Sequence, residues 1–343
     1  MTDRFERSAG GRDRWGEWPS PISPSVLAEA RLSLSGLQVV GDEVWWSQSR
    51  PSDGGRQAVL RSAVPPSGPE APGPIAEAGP EAVSVRSRVH EYGGGAWTVD
   101  PDTGALYLVD AVDQAVWLHR PGSPLQRLSG VAPEDESWRH GDLRVVPGGE
   151  WLMAVRERHH PGGVDDEIVA MPTGRDGPPV VVLSGRDFFA APRPSPDGSR
   201  LAWLTWDHPD MPWDGGELWA GELVVAGGGP AVRAGRRIAG GPRESVGQPT
   251  WGRHGELWFV SDRRGWWQPY RWEPGSDPPV HPVVDESAEF HSPDWVLGQS
   301  TLVPQPDGSL VARVRRLGRD RLVLVDPTEG TATEIAQPCV AIA

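Results

Sequence analysis

Short apolar and aromatic segments recur along the chain, and each follows a turn signal. The turns contain Gly-Asp, Asp-Thr-Gly, Pro-Gly-Gly, Pro-Asp-Gly or His-Gly, in which proline presets φ and glycine accepts a positive φ. A second apolar segment follows most of them after a few polar residues. The pattern therefore predicts antiparallel strands joined by tight turns. The leading strands are residues 44–46, 105–109, 151–155, 201–204, 257–260 and 310–314.

The leading strands recur at a regular spacing. From residue 106 onward they begin about 45–56 residues apart, and units of this length with three or four strands are typical of β-propellers. A β-sandwich also has short strands and frequent turns, but no pattern repeated at this length. We predict an all-β fold, a β-propeller with about six recognisable blades, and expect seven in the complete architecture. The blades should begin near Leu37, Val85, Trp138, Phe188, Ser245 and Glu289.

The two ends of the chain differ from the repeats. Residues 1–34 hold Trp15 and Trp18 among prolines, which predicts a short N-terminal arm with these tryptophans exposed; residues 35–343 form the propeller. The chain ends in the apolar residues 339–343, without a polar tail. Because a propeller normally protects its closing edge, we expect this one to be incomplete at its C-terminal end.

Composition narrows the functional classes. The net charge of −14 argues against a nucleic-acid partner and an anionic membrane surface, since both require a basic footprint. The 18 tryptophans argue against disorder, although glycine and proline are abundant. Cys339 is the single cysteine, which excludes an intramolecular disulfide and a zinc site of several thiolates. Neither a run of about 18 apolar residues nor a signal peptide is recognisable, so we predict a soluble, cytoplasmic protein.

Two motifs are more specific than the turn pattern: His90-Glu91-Tyr92-Gly93-Gly94-Gly95 and Trp206-Asp207-His208-Pro209. With the segments at 18–22, 195–198 and 260–267, they resemble the N-terminal β-propeller half of prolyl-oligopeptidase-type serine peptidases. The nearest branch is that of acylaminoacyl-peptidase and dipeptidyl-aminopeptidase-like enzymes, and the resemblance runs from about residue 15 to the end of the chain. One departure is His291, which stands where the resemblance leads us to expect glycine.

In that family an α/β-hydrolase domain follows the propeller and carries the catalytic Ser, Asp and His. Its serine lies on a sharp turn with the pattern Gly-x-Ser-x-Gly, beside an oxyanion hole. The sequence lacks this pattern; Gly298-Gln299-Ser300 comes nearest but has no second glycine. We therefore assign no catalytic residue, and we expect the chain by itself to be catalytically silent. Its classification as an enzyme stays open.

The resemblance implies that the propeller caps an active site, restricts access to short peptides and holds the peptide's end. A free amino terminus is a cation, which a carboxylate binds by a charge-assisted hydrogen bond. Glu91, with Tyr92, is the first candidate for this role, because the three following glycines permit close backbone approach. The alternative is that the glycines only shape an inner strand and that Glu91 pairs with Arg88 or another neighbour.

A polar and aromatic insertion follows the second motif. Asp207, His208, Trp213 and Asp214 lie between two predicted strands, and functional groups concentrate on loops of this kind. They are candidates to face a ligand or a partner domain. The alternative is a surface loop that packs on itself.

Metal and cofactor sites are not predicted. His159-His160 followed by Asp165-Asp166-Glu167 invites a metal interpretation, but adjacent histidines on a turn rarely converge on one ion, which favours a solvated loop. Asp100 and Asp102 lack the spacing of a calcium loop and fit turn chemistry. Neither phosphate-binding glycine loop occurs, so we predict no cofactor. Trp266 and Trp267 are expected to pack within a blade rather than to form a ligand platform.

Three functions remain. The first is the propeller of a serine exo- or oligopeptidase, with short peptides as partners through the hydrolase domain. The second is a stand-alone propeller that binds proteins or peptides, since this architecture has many functions. A Gly-x-Ser-x-Gly encoded beyond Ala343 would favour the first, and a stop after a capped blade the second. An independent hydrolase has least support, because no acid-base set can be placed. Formation of a homo-oligomer is left open.

Overall fold

A computed structural model gives the fold and describes residues 32–64, 73–174, 177–276 and 279–337. These residues form six sheets of four antiparallel strands, paired in the order in which they occur in the chain. The prediction of an all-β propeller with six blades is confirmed, and the described residues contain no seventh sheet. The strands are β1 (Leu34–Val40), β2 (Glu43–Arg50), β3 (Arg56–Ala63), β4 (Ala76–Glu77), β5 (Trp97–Val99), β6 (Leu106–Val109), β7 (Val116–His119), β8 (Gln126–Arg127), β9 (Ser137–Val145), β10 (Trp151–His160), β11 (Gly163–Pro172), β12 (Val180–Leu183), β13 (Phe188–Pro194), β14 (Arg200–Trp206), β15 (Glu217–Ala226), β16 (Gly229–Gly240), β17 (Val246–Trp251), β18 (Leu257–Ser261), β19 (Gln268–Trp272), β20 (Val280–Pro282), β21 (Leu302–Pro304), β22 (Leu310–Arg316), β23 (Arg319–Asp326) and β24 (Thr331–Ile335).

Each successive group of four strands is one blade, numbered here I to VI. Helical structure among the described residues is limited to a 3₁₀ turn at Pro51–Asp53 and the one-turn helix α1 (Pro212–Gly215) between β14 and β15. No helix in the described part of the chain has the length and apolar character needed to cross a membrane.

The core lies between the blades rather than within them. In β18, Leu257 and Phe259 pack between blades IV and V, while Trp258 and Val260 pack between blades V and VI. Five such clusters separate the six blades in the described residues. A strand buried on both faces needs apolar residues at successive positions, which explains the continuous apolar runs.

Blades I and VI are each covered on one face by a neighbouring blade. In β22, Leu310, Ala312 and Val314 are buried in the cluster shared with blade V. The opposite faces of these two blades are exposed: Leu37 is 71% exposed and Val303 50%. The alternation of apolar and polar residues in β22 follows from this one-sided burial.

The first strands of blades II to VI contact one another in succession around the propeller axis. Three of them contain a β-bulge with a non-glycine residue in the left-handed region: Asp142 at φ 48°, Ala191 at φ 52° and Gln248 at φ 51°. A bulge adds one residue to a strand and redirects its side chains. All three residues line the pocket described below.

Two blades begin later than the sequence predicts. Blade II was expected from Val85 and blade VI from Glu289, but β5 begins at Trp97 and β21 at Leu302. Val85 and Glu289 each form a single bridge, to Asp110 and Arg315. The residues that follow these bridges form loops at the pocket instead of strands.

Part of the chain lies outside the described residues. This includes the predicted arm up to residue 31, with Trp15 and Trp18, and the predicted C-terminal end at 338–343, with Cys339. Of the tryptophans expected to pack, Trp267 lies against the core between blades V and VI, whereas Trp266 is 41% exposed.

Candidate functional site

One end of the propeller carries a pocket of about 270 Å³. It lies where the first strands begin and the second strands end. Two loops complete it: the glycine turn (residues 88–95) before β5, and the crossing segment (residues 291–299) before β21. Its lining includes His90, Glu91, Tyr92, Asp142, Glu157, Phe188, Ala191, Arg193, Trp206, Met211, Trp213, Gln248, Asp294, Trp295 and Leu297.

The three glycines of the glycine turn seat the crossing segment. The Leu297 N–H donates to the carbonyl of Gly93 at 2.8 Å, and Gly94 and Leu297 form a parallel bridge. A Cβ on Gly94 would lie 2.1 Å from the carbonyl oxygen of Leu297, and one on Gly95 would lie 2.5 Å from Cα of Asp142. Both distances are far below van der Waals contact. The glycines therefore permit the close backbone approach that the motif suggested.

His291, the departure from the expected glycine, is accommodated by a glycine on the opposite strand. Its side chain is buried, its ring lies 5.0 Å from that of Trp267, and Nε2 is 3.1 Å from a carboxylate oxygen of Asp294. A Cβ on Gly247 would lie 2.8 Å from His291 Nε2. The absent side chain at 247 thus makes room for His291 at the start of the crossing segment.

Aromatic rings form two walls of the pocket. On one side Phe188 stacks on Trp206, with ring centroids 5.2 Å apart. On the other side Trp295 lies 4.6 Å from Trp213 and 5.5 Å from Tyr92. Because Tyr92 and Trp295 are largely exposed, this second wall forms part of the pocket mouth. Such walls suit a flat or apolar group.

Three polar side chains, His90, Glu157 and Asp166, lie together at the side of the pocket next to the glycine turn. His90 Nε2 lies 2.8 Å from Asp166 Oδ2, and the ligand atoms of His90, Glu157 and Asp166 all lie within 4.8 Å of one another. Burial raises the pKa of Asp166 to about 6, despite the hydrogen bond to His90. Burial opposes protonation of His90, but the hydrogen bond and charge of Asp166 outweigh it and raise the His90 pKa above 6.5.

Glu91 lies at the rim, with most of its side chain exposed. It pairs with Arg139 at 2.5 Å rather than with Arg88, whose carbonyl accepts a hydrogen bond from Arg139. The hydrogen bond to Arg139 lowers the pKa of Glu91, so this carboxylate is charged at neutral pH. The structure thus places both Glu91 and Tyr92 at the pocket, with Glu91 also in an ion pair.

The four candidates of the insertion separate in space. Trp213 lines the pocket, and His208 packs behind the aromatic wall with its ring 5.0 Å from Phe188. Asp207 pairs with Arg186 at 2.7 Å, and Asp214 accepts a hydrogen bond from the N–H of Met211 at the start of α1. Asp207 and Asp214 therefore hold the loop in shape, and neither lines the pocket.

The segment from His159 to Glu167 is not the solvated loop that the sequence favoured: it belongs to the β10–β11 hairpin, and Asp166 and Glu167 are buried in it. His160 pairs with Asp165 and His159 with Glu157, so the adjacent histidines do not meet at one point. Asp100 accepts hydrogen bonds from the N–H of Asp102 and the hydroxyl of Thr103, as expected for a turn.

Sequence reasoning missed most of the pocket. Phe188 and Trp295 belong to ordinary strand or loop patterns, and Trp206 begins the second motif but was not singled out as a site residue. Only the fold brings the three together. His90 stands inside the recognised motif and could have been noted there. Glu157 and Asp166 face each other across the β10–β11 hairpin, which a register prediction for that hairpin would have shown.

No family model and no curated protein matches the chain. Among solved structures, a puromycin hydrolase is 28% identical with a TM-score of 0.81; the match covers 94% of this chain and 49% of that one. A Mycobacterium tuberculosis puromycin-hydrolyzing peptidase is 31% identical with a TM-score of 0.78, covering 94% and 48%. The chain thus spans about half the length of these relatives.

A more distant neighbour shares the fold. Prolyl oligopeptidase B from Galerina marginata, bound to a 25mer macrocyclization substrate, is 13% identical with a TM-score of 0.59, covering 89% of this chain and 44% of that one. These neighbours agree with the resemblance found in the motifs.

Proposed function

We propose that this propeller domain binds the amino-terminal end of short peptides and limits access to a serine hydrolase domain. The domain resembles those of prolyl-oligopeptidase-family peptidases. The whole protein would be an aminopeptidase of the acylaminoacyl- or dipeptidyl-aminopeptidase type. A cytoplasmic location stays a prediction. The observation that supports this proposal best is the pocket itself: aromatic walls with a charged carboxylate at the rim, at one end of the propeller.

The pocket chemistry matches a peptide end. An apolar or aromatic side chain of the first residue would lie between the Phe188–Trp206 wall and the Trp213–Trp295 wall. The α-ammonium group would then lie toward the rim, where Glu91 is ionised. A volume of about 270 Å³ admits one or two residues and excludes a folded chain.

We expect Trp295→Ala to weaken binding of the tripeptide Phe-Gly-Gly by roughly tenfold, because it removes one aromatic wall. Trp295 is 53% exposed, so its loss should not unfold the blade. The measurement is isothermal titration calorimetry on the purified chain. Trp266→Ala is the matched control, since Trp266 is comparably exposed and lies outside the pocket.

The charge at the rim is tested in the same titrations. Glu91→Gln should weaken binding of Phe-Gly-Gly about threefold and leave N-acetyl-Phe-Gly-Gly unaffected, since the acetylated peptide has no ammonium group. Equal losses for Trp295→Ala and Trp266→Ala would contradict the proposal. Tighter binding of the acetylated peptide would contradict the ammonium-binding role of Glu91 and would favour the acylaminoacyl type over the dipeptidyl-aminopeptidase type.

A further inference from the structure

We propose that His90, Glu157 and Asp166 form a binding site for a divalent transition-metal ion of the Zn²⁺ class at the inner wall of the pocket. The assignment of this site does not depend on the proposed peptide-binding role, although the site lies in the same pocket. Its three side chains come from the glycine turn, β10 and β11, and His90 and Asp166 are 76 residues apart in the sequence. Local spacing therefore could not show this set: of the three residues, only Asp166 belongs to the segment that the sequence analysis considered for a metal.

The strand register places two buried carboxylates against each other. Glu157 and Asp166 are direct cross-strand partners in the β10–β11 hairpin, and only 6% and 3% of their surfaces are exposed. Like charges at directly opposite positions destabilise a sheet. The flanking cross-strand pairs are of opposite charge: Arg156 with Glu167, and Arg158 with Asp165. The carboxylate pair is therefore the exception in an otherwise charge-matched hairpin.

The neighbouring basic side chains only partly compensate the charge of the two carboxylates. Arg139 approaches Glu157 at 3.6 Å but is bound more closely by Glu91, at 2.5 Å. His159 lies 3.4 Å from Glu157. Asp166 contacts the His90 ring and accepts a hydrogen bond from the N–H of Phe189. A dication between them would balance both carboxylates, which are costly to bury without a counter-charge.

The ligand set indicates the kind of metal. One imidazole nitrogen and two carboxylate oxygens within 4.8 Å of one another suit Zn²⁺ and similar ions, whereas Mg²⁺ prefers oxygen ligands and retains its waters. Two further contacts orient the ligands: the Phe189 N–H holds Asp166 at 2.7 Å, and Phe188 and Trp206 flank the His90 ring at 5.4 and 5.7 Å. His90 and Glu157 line the pocket, so a remaining coordination position would face it.

The test is a titration of the full chain with Zn²⁺ after treatment with a chelator. We expect one high-affinity Zn²⁺ per chain, with a dissociation constant of about 1 μM or lower, and a rise of several degrees in the unfolding midpoint. Mg²⁺ at the same concentration should leave the midpoint unchanged. Glu157→Gln should weaken Zn²⁺ binding at least tenfold. His160→Gln, at the tip of the same hairpin, should retain it, because His160 pairs with Asp165 outside the cluster.

The unfolding midpoint, measured with and without Zn²⁺, distinguishes loss of the metal site from loss of the fold. Without metal, Glu157→Gln should melt at the same temperature as the parent or higher, because it removes one of two opposed carboxylates. With Zn²⁺ the parent should melt higher than the variant. Undiminished Zn²⁺ binding by Glu157→Gln, an equal loss in His160→Gln, or no stoichiometric binding would overturn the proposal.

Discussion

Gly94→Ala is expected to lower the free energy of unfolding by about 3–5 kcal/mol, although it adds a single methyl group. The backbone at Gly94 has φ 111°, which side chains of L residues rarely adopt. The new Cβ would also lie 2.1 Å from the Leu297 carbonyl oxygen and 2.4 Å from the Leu297 nitrogen. Both are backbone atoms, so no side-chain rotation can relieve the clash. Urea unfolding followed by tryptophan fluorescence measures the loss.

Gly122→Ala is the matched control for this substitution. Gly122 also has a positive φ, 78°, but its Cβ would meet nothing within 4 Å. Only the conformational cost remains there, about 1–2 kcal/mol. The amount by which the loss in free energy of unfolding is larger for Gly94→Ala than for Gly122→Ala therefore measures the contact between the glycine turn and the crossing segment. Equal losses at the two positions would show that this contact contributes little.

Asp142→Asn should be similarly damaging, with a loss of about 3–5 kcal/mol. Asp142 is fully buried at the bulge of β9 and accepts hydrogen bonds from the Ala191 N–H and from Arg193, both at 2.9 Å. Arg144 lies 3.3 Å away. Asparagine keeps the shape but leaves two arginines without their shared counter-charge. Glu334→Gln is the control, because its ion pair with Arg321 is about half exposed and should contribute less than about 1 kcal/mol.

The destabilisation caused by Asp142→Asn should depend on pH, because the Asp142 carboxylate titrates. Burial opposes ionisation of Asp142, but the charges of Arg193 and Arg144 outweigh it and hold its pKa below the ordinary value of 3.8. The unfolded chain therefore binds this proton at higher pH than the folded chain. The stabilisation by Asp142 should be complete above about pH 5 and lost as the pH falls through its folded pKa. Unfolding measured at pH 7 and near pH 3 should show the gap between parent and Asp142→Asn closing in acid; a constant gap would contradict this assignment.

The strands were predictable because burial dictates their composition. Residues 257–260 are apolar at every position since they pack between two pairs of blades, and Pro-Asp-Gly turns can be recognised without any fold. The two errors in blade boundaries share one cause. Val85 and Glu289 each form one bridge before the chain leaves the sheet, and a single bridge looks like the start of a strand. Those departures from the sheet create the glycine turn and the crossing segment.

The pocket could be predicted only in part. Glu91, Tyr92 and Trp213 belong to motifs dense in unusual residues, and all three line it. Phe188 and Trp206 could not be distinguished from core aromatics, because their role depends on which blade end they occupy. Asp207 and Asp214 illustrate the reverse case: they belong to a conspicuous segment, yet they hold its loop through Arg186 and the Met211 N–H.

The proposed function requires that these residues bind a substrate end and do not themselves carry out the chemistry. Its most direct test is the release of p-nitroaniline from phenylalanyl-p-nitroanilide by the purified chain, at a concentration that calorimetry shows to be saturating. We expect saturable binding that Trp295→Ala weakens, with no release of p-nitroaniline above the buffer blank. Release that copurifies with the chain and scales with its concentration would place the chemistry inside the propeller and refute the claim.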